Sequence, residues 1–120
     1  MDEHSLLATT VRDTLVNIAG VSGTAAKHLR PGQSLSADLG LDEVDLEVLA
    51  GCQCRLGDRL RRDRGVTRVG ADELRDGTVA DVVRLTLRRA LGRRLDAAGV
   101  RELIVRVQSG LRGAGNSVSG

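Results

Sequence analysis

The sequence predicts an all-α fold: a four-helix bundle with a long first loop, plus an amphipathic helix at the C-terminal end. Three observations carry that prediction. Apolar residues recur at spacings of three and four in several segments, the period of a helix that buries one face. Residues that start or stop helices punctuate those segments at sensible intervals. The chain has no Phe, Tyr or Trp, so its core must be built from Leu, Val, Ile and Ala. A pocket that stacks an aromatic substrate is therefore not expected. With 120 residues, the chain can fill one small core but not two.

The first helix is expected over residues 5–19. Leu7, Val11, Leu15 and Ile18 share a face, Ser5 suits the N-cap, and Gly20 suits the stop. Residues 20–41 then make a long connection containing Gly23, Pro31-Gly32 and Gly40, with Leu29, Leu35 and Leu39 available to pin it to the core. A second helix should start at Asp42, an N-cap whose followers Glu43 and Asp45 complement the positive end of the helix dipole. Leu46, Leu49, Leu56 and Leu60 continue at helical spacing, with Cys52 or Gln53 filling the gap. Arg61 to Gly65 reads as a polar connection, and Ala71 to Arg75 as a short third helix closed by Asp76-Gly77. Thr78 should cap a fourth helix carrying Val79, Val82, Val83, Leu85, Leu87 and Leu91. Beyond Gly92, the residues Val100, Leu103, Ile104, Val107 and Leu111 form a narrow apolar stripe flanked by arginines, which predicts a fifth, amphipathic helix over 97–112. The expected organisation is a helical bundle over 1–92, a C-terminal extension over 93–112 and a flexible Gly- and Ser-rich tail over 113–120.

Charge is unevenly placed. Residues 1–81 hold ten basic and fourteen acidic groups, a net of −4, whereas residues 82–120 hold eight and two, a net of +6. Seventeen of the eighteen basic residues are Arg, a bias typical of GC-rich genomes. Asp38, Asp42, Glu43, Asp45 and Glu47 form an acidic cluster undiluted by any base. No long apolar run follows the N-terminus, and no stretch approaches a membrane span, so a cytoplasmic location and no transmembrane segment are expected. Cys52 and Cys54 are separated by one residue, a spacing at which a disulfide would be strained. They read as small apolar core or boundary residues of the second helix. His4 and His28 lack neighbours at metal-ligand spacing, so no metal site is expected. No nucleophile–base set presents itself, and the chain is not expected to be an enzyme.

Three segments, in order, resemble the acyl carrier protein family across roughly residues 6–91. They are Arg30-Pro31-Gly32-Gln33-Ser34-Leu35, the run Asp38-Leu39-Gly40-Leu41-Asp42-Glu43-Val44-Asp45-Leu46, and Thr78-Val79-Ala80-Asp81-Val82-Val83. The resemblance implies an acyl-carrier-like four-helix bundle. In that family, the run D-L-G-L-D-S carries the serine that bears a phosphopantetheine arm. Here Glu43 stands in the serine's place, and a carboxylate cannot form that phosphodiester. The resemblance therefore implies the frame of a carrier without its cofactor: no phosphopantetheine is expected, and none of Ser34, Ser36, Cys52 or Cys54 has the setting to replace the lost serine.

The leading expectation is a non-enzymatic, acyl-carrier-like protein that docks to a partner. By resemblance, the partner would be a fatty-acid or polyketide enzyme with a basic patch, read through Asp38, Asp42, Glu43, Asp45 and Glu47. Two alternatives remain open. One is a working acyl or aminoacyl carrier modified at another residue. The other is an Arg-rich helical protein that binds nucleic acid through Arg84, Arg88, Arg89, Arg93 and Arg94, against which the absence of stacking aromatics counts. The stripe over 97–112 could also fold inward, bind a partner or form a homodimer.

Overall fold

A computed structural model describes residues 3–60 and 68–119, and their side chains as far as Leu111. The described chain is all-helical, in the order α1 (Glu3–Ser22), a 3-10 turn (Ala26–His28), α2 (Glu43–Leu60), α3 (Ala71–Leu74), α4 (Val79–Leu91) and α5 (Ala97–Ser119). The polar connection expected at Arg61 to Gly65 lies outside the described residues. Helices α1, α2 and α4 pack on one another, α3 bridges to α2, and α5 lies across α1 and α4.

Helix α1 is longer at both ends than its apolar face predicts. It already includes Glu3, so Ser5 lies inside it and is not its cap. Nor does Gly20 stop it. Gly20 is exposed and is carried through the last turn. The stop is Gly23, whose φ of +79° supplies the left-handed conformation that other residues adopt at a cost. Its N–H closes on the Ala19 carbonyl at 2.9 Å.

The long loop is packed rather than free. Leu29, Leu35 and Leu41 are buried, whereas Leu39 is only partly so. Its backbone also completes the start of α4. A helix leaves its first N–H groups without internal partners. Here Val79 N–H donates to the Gln33 carbonyl and Ala80 N–H to the Pro31 carbonyl, each at 3.0 Å. Asp81 N–H donates to Thr78 Oγ1 at 3.2 Å, while the Asp81 carboxylate accepts from Thr78 N–H at 3.0 Å. Two of the three family-like segments thus meet in space, joined also by the Ser34–Thr78 bridge.

Asp42 caps α2 as expected, in a reciprocal arrangement. Asp45 N–H donates to Asp42 Oδ1 at 2.8 Å, and Asp42 N–H donates to Asp45 Oδ2 at 3.1 Å. Along α2 the buried seam is Leu46, Leu49, Gln53 and Leu56. Of the two candidates for the gap, Gln53 fills it and is fully buried. Its Nε2 donates to Thr14 Oγ1 at 3.0 Å and to Thr86 Oγ1 at 2.8 Å, and its Oε1 accepts from Asn17 Nδ2 at 2.8 Å. One satisfied polar side chain therefore ties α1, α2 and α4 into one register.

Helix α4 ends at Gly92, at φ +67°, with Gly92 N–H on the Arg88 carbonyl. The chain then reverses, and Asp96 caps α5 by accepting from Gly99 N–H at 2.7 Å. The apolar stripe of α5 folds inward: Val100 and Ile104 are buried in the common core, with Leu103 and Val107 packed beside them. Gln108, also buried, donates from Nε2 to the Ala26 carbonyl at 3.0 Å and to the Leu29 carbonyl. The helical backbone continues past residue 112 to Ser119, into the segment whose Gly content suggested a flexible tail. Glycine weakens a helix without breaking it, and no proline is present there to interrupt the ladder.

Candidate functional site

The position that resembles the carrier's modification site lies in the first turn of α2, facing α3. There the Glu43 carboxylate is gripped at both oxygens by one guanidinium. Arg75 Nε donates to Oε1 at 2.5 Å, and Nη2 donates to Oε2 at 2.8 Å. Arg75 Nη2 also contacts Asp72 Oδ1 at 2.7 Å, so the arginine that follows α3 is tied to a carboxylate within it. The pair is solvent-facing, with side chains 59% and 44% exposed. The hydrogen bonds from Arg75 hold the Glu43 carboxyl below its ordinary range, against the smaller opposing effects of desolvation and of the Asp42 charge. The same bonds raise Arg75.

The other members of the acidic cluster also have local tasks. Asp38 Oδ2 accepts from Ser34 N–H at 2.7 Å and closes the turn before α2. Asp42 and Asp45 cap α2 through each other. Glu47 is exposed one turn further along. The cluster is therefore gathered at one end of α2, but Glu43 is already matched by a cation of its own chain. Sequence reasoning missed Arg75, which is 32 residues from Glu43 and signalled by no local spacing. It also missed Val44 and Val48, which are 67% and 49% exposed. Their signal was present: an i, i+4 apolar pair that falls off the Leu46–Leu49–Gln53 seam. Together with Glu47, they make a small apolar and acidic strip on the outer face of α2.

The remaining candidates lie apart from this strip. Ser34 is half-buried and its hydroxyl accepts from Ala37 N–H, while Ser36 is exposed in the loop. Cys52 and Cys54 are free, half-buried thiols in the middle of α2. Cys54 Sγ meets both the N–H and the carbonyl of Val69, at 3.3 and 3.5 Å. His4 and His28 are exposed on separate elements. Among the described residues no three His, Cys, Asp or Glu side chains gather as a metal would require, and no helix is long and apolar enough to cross a membrane. Of the basic residues in the C-terminal half, Arg84 pairs with Asp81, Arg89 with Glu73, and Arg93 with Glu3.

Comparison with known proteins finds no matching family model, no matching curated protein and no matching solved structure.

Proposed function

We propose that this chain is a non-enzymatic, acyl-carrier-like helical protein without a phosphopantetheine attachment site, which acts by docking to a protein partner through the outer face of α2. The observation that carries this reading is Glu43 itself. It stands where the resembling family has its serine, and its carboxylate is occupied by Arg75. The docking half of the reading is supported by the strip of Val44, Glu47 and Val48, flanked by Asp42 and Asp38. An exposed apolar pair supplies contact area, and neighbouring carboxylates supply steering toward a basic patch. Because Glu43 is neutralised within the chain, Glu47 rather than Glu43 is the charge offered to a partner. A fatty-acid or polyketide enzyme is the kind of partner the resemblance suggests.

The test is affinity capture with wild-type protein against a Val44→Asp/Glu47→Arg double variant. The wild type should retain a partner in a salt-sensitive manner, and the variant should lose it. Retention by the variant, unaffected by salt, would remove the docking surface from α2. The nucleic-acid alternative would draw on the same C-terminal arginines, of which Arg84, Arg89 and Arg93 already pair with carboxylates of this chain.

A further inference from the structure

A groove of about 560 Å³ lies between helices α1 and α5, within the size range of small-molecule sites. Small residues, Ala8 on α1 and Gly110 on α5, are among those that line it and leave it room. A Cβ placed on Gly110 would meet no atom within 4 Å. The α5 wall is apolar, formed by Leu103, Val107 and Leu111, each only partly covered. From Leu103 to Leu111 that wall runs about 12 Å at the helical rise. Two arginines stand at the groove, Arg12 from α1 and Arg106 from α5, and among the described residues no carboxylate lines it. Their acidic neighbours, Asp13 at 3.5 Å and Glu102 at 3.0 Å, belong to the same helices and lie outside the groove.

We infer that this groove binds an anionic amphiphile: a linear alkyl chain lying along Leu103, Val107 and Leu111, with its carboxylate between Arg12 and Arg106. The alkyl chain exchanges water for the apolar wall, which supplies most of the affinity. The two guanidinium groups select the sign of the head group, with a smaller contribution because both are solvated. The site is separate from the outer face of α2 and does not depend on the docking reading.

The experiment is a titration of the full chain with dodecanoate below its micelle concentration, followed by backbone amide shifts in NMR, with dodecyltrimethylammonium as the cationic control. Saturable shifts confined to the N-terminal half of α1 and to α5 are expected with dodecanoate, and none with the cation. Gly110→Leu fills the groove while replacing a helical glycine by a better helix former, so it should fold and bind at least about tenfold more weakly. Arg12→Gln/Arg106→Gln should weaken binding by about fivefold. Absence of saturable shifts, equal binding of the cation, or an unaffected Gly110→Leu variant would each overturn the proposal. So would a concentration-dependent dimer abolished by Gly110→Leu without dodecanoate binding, which would assign the groove to a second copy of the chain.

Discussion

At the residue scale, the account turns on Glu43 and Arg75. A carboxylate in the first turn of a helix is ordinary, since it suits the dipole. A two-point grip by an arginine from another element is a more specific arrangement, because the planar fork matches a carboxylate at both oxygens. The grip depresses the Glu43 pKa in the folded chain. A depressed folded-state value means the pair stabilises the fold above the unfolded carboxyl pKa and loses that contribution as pH falls through the folded one. Arg75→Ala should therefore move the Glu43 carboxyl titration upward, toward the ordinary glutamate range, as followed by carboxyl-carbon NMR. It should also destabilise the protein at neutral pH by more than it does at acid pH. An unchanged Glu43 midpoint in the variant would mean that the grip is not held in solution.

At the scale of elements, the caps are where sequence and structure agree most closely. Asp42 and Thr78 both bear a short oxygen side chain and are followed three residues later by an aspartate that completes the reciprocal bond. That chemistry is local, so it is legible in the sequence. Thr78→Ala should cost about 1 kcal/mol of stability in urea denaturation. Its effect should fall on α4 and on the Pro31–Leu35 strap that completes the same helix start. The ends of α1 were less legible. Gly20 and Gly23 are both plausible stops, and only the backbone angle, left-handed at Gly23, separates them. The choice of Gln53 over Cys52 for the α2 seam was open for a similar reason. The spacing admits either, and what decides it is that Thr14, Asn17 and Thr86 from two other helices converge on the amide. Partners supplied from distant segments leave no local pattern, which is equally why Arg75 could not be foreseen.

At the scale of the whole molecule, the apolar stripe of α5 packs against its own chain, with Val100 and Ile104 buried and Leu103, Val107 and Leu111 partly covered. The sequence shows that residues 97–112 carry such a stripe but not which surface receives it. The structure brings Val100 and Ile104 into the same core as α1 and α4 and fastens the helix further along with Gln108. Helix α5 thus shares the core of the other helices and should unfold with them. Ile104→Ala should lower stability by about 2–4 kcal/mol while unfolding remains a single transition by circular dichroism. Loss of α5 signal at a lower denaturant concentration than the rest would instead mark it as a separable appendage. On the outer face of α2, an apolar pair, Val44 and Val48, remains in solvent beside carboxylates.

The central claim is that the frame of a carrier remains while its attachment site has been replaced by Glu43. The most direct measurement is intact mass after incubation with coenzyme A and a broad-specificity phosphopantetheinyl transferase, comparing wild type with Glu43→Ser. The account predicts an unmodified wild type and a variant that gains the mass of one phosphopantetheine arm. A wild-type chain that gains the arm would contradict the reading of Glu43, and a variant that stays unmodified would contradict the carrier-like frame.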